Sequence, residues 1–465
     1  MRNPGPLLPP VTLAGLLVLA LGTPLAAVDG APDPSFNGNG RTAVDIGQNA
    51  RVRAVAAFPD GKVVAVGDVT VPQPGDASNT SMFVVRWNVD GTPDTTFGPA
   101  QTGVVTIDFD LGPPGLRFDD ATSVAVQPDG KVIVGGYARA GQSEFYVAVA
   151  RLTVSGVLDS SFAGDGKLTF PELGTSRGCA VRLRRGGQIL VTPTLYSGDN
   201  LVLQLTSAGD PDPSYGFGGQ TETWSCGSFG CGWFVDALEL PGDGQLLALG
   251  TTPSRDRFFL VRFLGEEGGP GELDGFFGIG GVATFIPSGF EKVDLLGFAL
   301  DPSGRVTIGA YDGNNPSRTA LLRLLHDQPD PAFGTGGWAS FTFKPPSSPT
   351  TGHALAMLVQ ADGKPVLAGI GLVDGTWNFV VTRRTPDGSA VDSTFSGGWP
   401  AVAFDIGGGL TDGATAIGAH AGRPLAGGLA QSSSTSLVAM ARLDNALVWT
   451  DGFESGSTFF WEKSP

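Results

Sequence analysis

Residues 54–67, AVAAFPDGKVVAVG, set two short apolar runs on either side of Pro59-Asp60-Gly61-Lys62. Asp-Gly between apolar runs is a strong hairpin signal, because a tight turn needs positive φ at its centre, which glycine adopts freely and aspartate tolerates. The pattern returns as VAVQPDGKVIVGG at residues 124–136 and, more loosely, around Gly187, Gly244, Gly304, Gly363 and Gly422. Successive turn glycines lie 69, 57, 57, 60, 59 and 59 residues apart, counted from Gly61. That is the period of a structural repeat.

Two further signals recur in phase with the hairpin. An Asp-x-x-aromatic turn starts at Asp33, Asp94, Asp159, Asp212, Asp274, Asp330 and Asp392, and an apolar run ends in a polar residue at Arg86, Arg151, Gln204, Arg262, Arg323, Arg383 and Arg442. Each unit holds four short β-rich runs; in the first they are Val52 to Phe58, Lys62 to Gly67, Met82 to Trp87 and Val104 to Phe109. Four-stranded units repeated radially bury both sheet faces against their neighbours and leave only short edges. The prediction is an all-β, seven-bladed β-propeller of four-stranded blades.

Composition agrees. Gly (71) and Pro (35) are abundant in the 465 residues, but with 41% hydrophobic residues they read as turns between many short strands. A formal net charge of −16 removes the basic footprint that a nucleic-acid partner requires.

The hairpin, followed by the R-x-x-x-D-G-x-x-D-x-x-F-G turn of Arg86 to Gly98, resembles the delta-60 (DUF5122-type) repeats of secreted bacterial proteins. The second unit, Val124 to Gly136 with Arg151 to Gly166, is the other well-kept copy; copies three, four and seven have degenerate Pro-Asp-Gly-Lys turns. The resemblance extends over about residues 33–444 and implies a propeller, with no settled activity. The strand A, turn, strand B order also resembles that of NHL-type propellers, where the Asp-Gly turn joins the two innermost strands, A and B; that resemblance implies that the arginine run is strand C and the segment after the Asp-x-x-aromatic turn is outer strand D. So phased, the chain opens with a D strand at 41–46 and closes with A, B and C strands at 414–442, and residues 41–46 complete the last blade. A ring closed by side-chain packing alone is the alternative.

Because strands alternate in direction, the A–B and C–D connections share one face and the B–C and D–A connections the other. Every repeated turn lies on the first face, and repetition points to a shared structural demand. The turn aspartates are expected to cap turns and pair with the strand C arginines, and the aromatics to plug the gaps between blades. A calcium site there lacks the dense alternation of oxygen ligands. The other face is irregular in length and composition, and binding residues gather on such loops. Tyr137, Tyr196, Tyr311 and Trp377 fall in its B–C loops and are the candidate ligand-binding residues, stacking on a sugar or peptide or else packing their own loops.

No G-x-S-x-G, H-E-x-x-H, P-loop or dinucleotide fingerprint is present. Acidic pairs such as Asp119-Asp120 are expected to be solvated loop charge, with glycosidase carboxylates as the alternative. No catalytic residue, cofactor or metal site is expected. Residues 1–27 carry Arg2, an apolar run from Val11 to Leu21 and Ala26-Ala27, the pattern of a secretory signal peptide. No later run is long enough to span a bilayer. Of the three cysteines, Cys226 and Cys231 are the favoured disulfide, with pairing to Cys179 left open. The domains are therefore a signal peptide (1–27), the seven-repeat propeller (28–444) and a C-terminal tail (445–465). The expected protein is an exported monomer, extracellular or periplasmic, that binds a protein, peptide or glycan through its irregular face without catalysis. The alternatives are a secreted hydrolase or lyase with acidic residues at the channel mouth, and a passive surface or matrix component.

Overall fold

The computed structural model describes residues 29–72, 79–224, 232–266, 268–345, 348, 352–404, 411–431 and 436–445. The predicted signal peptide, the Cys226–Cys231 pair and the tail beyond Asn445 lie outside them.

Seven antiparallel blades form a ring. Blade 1 is built from strands A (Gln48–Ala57), B (Val63–Thr70), C (Thr80–Trp87) and D (Val104–Ile107). Blade 2 repeats the order with Asp119–Val126, Val132–Arg139, Phe145–Leu152 and Lys167–Phe170. Blade 3 has A (Ser176–Leu183), B (Ile189–Leu195) and C (Leu203–Leu205), its outer edge made by the bridges Leu203 to Gln220 and Asn200 to Trp224.

Blade 7 takes A (Thr411–His420), B (Arg423–Gln431) and C (Ser436–Arg442) from the end of the chain and D (Arg41–Val44) from its start. Arg41 to Val44 pair with Ala441 to Val438. The ring is thus closed by ladder hydrogen bonds, as the strand phase predicted.

Burial explains why the middle strands read as unbroken apolar runs. A blade is covered on both faces by its neighbours, so all of Thr80–Trp87 and all but the last residue of Val63–Thr70 are buried. The core is divided among the gaps between blades. Val64, Val66 and Val84 meet Val132, Val134 and Ala148 between blades 1 and 2. Phe36, Val52 and Phe83 meet Ala416, Leu425 and Met440 where blade 7 returns to blade 1.

Strand A carries a β-bulge at the same place in six blades, between Val52 and Ala54 in blade 1 and between Ala121 and Ser123 in blade 2, and one pair earlier, between Ser176 and Cys179, in blade 3. The bulge drives a strand A carbonyl toward strand B and accounts for the glycine that ends the hairpin motif. A Cβ on Gly67 would sit 1.7 Å from the Arg51 carbonyl oxygen, and one on Gly136 would sit 2.0 Å from that of Asp120. The bulged residue also reaches the next blade: the Thr122 hydroxyl donates to the Cys179 carbonyl at 2.8 Å and the Thr415 hydroxyl to that of Val52 at 2.6 Å.

Cys179 itself is a buried free thiol on strand A of blade 3, its Sγ 3.5 Å from the Gly136 carbonyl oxygen, and burial pushes it up to about 12.

Candidate functional site

The repeated polar residues are consumed by one structural node per blade. In blade 2, Asp159 Oδ1 accepts from the backbone N–H and hydroxyl of Ser161, while Oδ2 accepts from Arg151 Nε at 2.8 Å and pairs with Lys131 at 3.1 Å. The Arg151 guanidinium lies 4.8 Å from the Phe162 ring centroid and donates to the Ser207 carbonyl of blade 3. Blade 1 has the same set in Asp94, Arg86, Lys62, Phe97 and the Val154 carbonyl, and blade 7 has it in Asp33, Arg442, Arg423, Phe36 and the Val89 carbonyl.

These bonds outweigh burial and hold Asp94 and Asp159 well below the usual carboxylate range. Blade 3 shows the demand by substitution. Gln204 replaces the arginine, and Arg184, from the start of the A–B turn, supplies the cation beside it, 2.6 Å from the Gln204 amide oxygen and 5.5 Å from the Tyr215 ring centroid. This face is scaffold.

The irregular face holds the cleft. Strand A begins and strand B ends there, so a residue at either position stands beside its counterpart on the next blade. Phe118, Tyr137, Arg139 and Phe145 from blade 2 meet Ser176, Arg177 and Tyr196 from blade 3 around a cleft of about 420 Å³. Tyr137 stacks on Phe118 (5.9 Å, 24°) and meets Phe145 edge-on. Tyr196 is 57% exposed. Arg139 donates from Nε to the Gly141 carbonyl at 2.9 Å and from its terminal nitrogen to that of Gln142 at 2.8 Å, pinning the B–C loop at the rim.

Of the four aromatic residues read from the sequence, the structure brings Tyr137 and Tyr196 together. Tyr311 lies at the end of strand B of blade 5 (Val306–Asp312) and Trp377 at the start of strand C of blade 6 (Thr376–Arg383), and neither enters the cleft. Only Tyr196 stands in a loop; Tyr137, Tyr311 and Trp377 are on strands, because those strands run farther toward the irregular face than their apolar runs suggested. The sequence carried no signal for Phe118, Phe145 or Arg177, none of which belongs to a repeated motif.

Behind Tyr137 lies a buried acidic pair. Asp120 Oδ2 accepts from Arg53 at 3.0 Å and from the Tyr137 hydroxyl at 3.4 Å, and the same guanidinium pairs with Asp68 Oδ1 at 3.5 Å. Asp68 and Asp120 are 3% and 1% exposed, and Oδ1 of neither accepts a hydrogen bond. Burial, reinforced by Asp120, pushes Asp68 up to about 7 against the opposing pull of Arg53; burial also raises Asp120 and the Tyr137 hydroxyl. Asp119 is likewise buried, accepts the Phe109 N–H at 2.7 Å and is pushed by burial to about 7. The expectation that Asp119-Asp120 is solvated loop charge is therefore corrected. Both residues open a strand A that lies against blade 1, out of water.

Residues 59–97 and 127–162 match a family model described as a domain of unknown function (DUF5122) beta-propeller. These stretches are the two best-kept repeats, and the match bears out the resemblance read from them. No curated protein matches the chain. Among solved structures it is similar to the hydrazine synthase of Kuenenia stuttgartiensis, at 11% identity over 82% of this chain and 94% of that one, with a TM-score of 0.42. It is similar also to the polysaccharide lyase Uly1 (11% identity, 84% and 90%, TM-score 0.44) and to a PL25 ulvan lyase (10% identity, 87% and 96%, TM-score 0.46). At these distances the likenesses assign no function to this chain. No helix among the described residues is long and apolar enough to cross a membrane.

Proposed function

We propose that the protein is an exported, non-catalytic binding propeller whose ligand docks in the cleft between blades 2 and 3. One observation carries this reading. On the face where the repeat pattern breaks down, two blades converge four aromatic side chains and two arginines on an open cleft, whereas the polar residues of the repeated face are spent on holding blades together. Clefts lined by aromatic groups with a few placed polar groups are where ligands bind. Export rests on the pattern of residues 1–27.

The rival reading, a secreted hydrolase or lyase, draws support from the Tyr137 hydroxyl, which links the cleft to the Asp68–Asp120 pair. Both carboxyls are sealed from solvent, a poor position for proton exchange with a substrate.

The test is retention of the mature chain on an array of neutral and acidic polysaccharides, with release of new reducing ends followed on whatever is retained. Saturable retention that Tyr196→Ala abolishes and Tyr311→Ala spares, without bond cleavage, is the expected result. Cleavage would establish the enzyme, and retention indifferent to Tyr196 would move the site elsewhere.

A further inference from the structure

We infer that the cleft recognises a carboxylate-bearing polysaccharide, a polyuronate, through Arg177. This deepens the reading above and rests on it. Arg177 is the second residue of strand A of blade 3 and is exposed. Its guanidinium lies 4.3 Å from the ring centroid of Tyr196 and 4.8 Å from that of Trp233, the residue that opens strand A of blade 4 (Trp233–Glu239). Aromatic rings hold a cation by electrostatics and take none of its N–H donors in conventional hydrogen bonds. Among the described residues Arg177 has no ion pair and no hydrogen-bond acceptor.

The contrast with its neighbours is what singles it out. Arg139 in the same cleft has committed donors to two loop carbonyls, and node arginines such as Arg151 and Arg86 are buried and bound to aspartate. Arg177 is a planar donor fork already positioned by two rings, so much of the rotamer entropy of ordering it is lost before a ligand arrives. The natural partner of such a fork is a planar oxyanion, bound through two parallel N–H···O bonds.

Charge and shape add the rest. The protein as a whole is strongly acidic, yet the charged residues lining this cleft are both arginines. A polyanion repelled by the molecule as a whole therefore finds its complement here. Tyr196, more than half exposed beside the guanidinium, offers a flat apolar face at a distance that suits a sugar ring whose carboxylate reaches Arg177.

The experiment compares polygalacturonate, its methyl ester and neutral dextran as probes, with polyglutamate as an acidic peptide, using the full mature chain. Wild type is expected to bind polygalacturonate and to lose about tenfold or more in affinity for the ester, the scale of a charge-assisted hydrogen bond. Arg177→Gln should lose the same factor for polygalacturonate with its melting temperature unchanged, and Arg177→Lys, which keeps the charge but not the fork, should fall between. Equal affinity for acid and ester, or Arg177→Gln binding like wild type, would overturn the anion reading and leave a binding cleft standing. Capture of polyglutamate in preference to polygalacturonate would replace the saccharide with a peptide. If the wild type retains no polysaccharide or peptide at all, the binding function itself fails.

Discussion

Substituting Arg151 by Gln tests whether the seven nodes hold the ring or merely decorate it. Arg151 is buried, and its guanidinium serves Asp159, Ser161, the Phe162 ring and the Ser207 carbonyl of the next blade together. A glutamine keeps one donor for the aspartate, as Gln204 does toward Asp212 at 2.9 Å in blade 3. It loses the bond to Ser207, which leaves a carbonyl unpaired at a cost of about 1–3 kcal/mol. It also loses the contact with Phe162, on the order of 1 kcal/mol. The expected loss is therefore about 2–4 kcal/mol, measured by urea denaturation of the mature chain followed by tryptophan fluorescence. Blade 3 supplies the control. Gln127 occupies in blade 2 the place of Arg184, since each closes its A–B turn by donating its backbone N–H to the residue four positions on. Adding Gln127→Arg to Arg151→Gln should recover about 1 kcal/mol or more, less than everything because the Glu239 partner of Arg184 has no acidic counterpart at Leu183. Lys131→Ala, which removes a half-exposed partner of the same aspartate, should cost no more than about 1 kcal/mol. If Arg151→Gln melts within about 1 kcal/mol of wild type, or the second arginine restores nothing, cohesion resides in the apolar gaps alone and the node argument is wrong.

Deleting residues 29–46 should destabilise the whole ring. Phe36, fully buried between blades 7 and 1, carries about 3–5 kcal/mol by itself, and loss of Arg41–Val44 bares the edge of strand C in blade 7. A truncated chain that melts like the full one and stays monodisperse on size exclusion would refute closure by this strand. Stability should also fall as pH rises from about 4 to about 7. Asp68 and Asp119, pushed up to about 7, bind protons more tightly folded than unfolded, so their contribution is complete at acid pH and lost through that window. Below about pH 4 the sign reverses, because Asp94 and Asp159, held low, must then be protonated. Melting temperatures should thus peak in mild acid, and Asp68→Asn should flatten the decline toward pH 8 without abolishing it; an unchanged slope would disprove the titration of buried Asp68 in that window.

The site was only half legible in the sequence. Tyr137 and Tyr196 could be read as aromatics near the irregular face, but meeting in one cleft is a matter of radial neighbourhood. Residues at the end of strand B meet those at the start of strand A one blade onward, and Tyr311 and Trp377, in blades 5 and 6, have other neighbours. Arg177 escaped notice for the same reason. Its two rings come from different blades, and nothing within its own repeat marks it.

What the amino-acid order determined unaided was everything that repeats. Seven in-phase hairpins, aspartate turns and arginine runs specify strand number, blade number and even the phase of closure, because a local pattern met seven times reports a local physical demand. Arg41 to Val44 pairing with the last strand follows from counting. What only the tertiary structure decided are the things that occur once. It placed Arg184 where Gln204 lacks a charge, buried Asp119 and Asp120 against blade 1, and left the donors of Arg177 open in the cleft. These depend on which blade stands next to which and how deeply an edge is covered, and burial of that kind is set by the packed ring, which no single repeat contains.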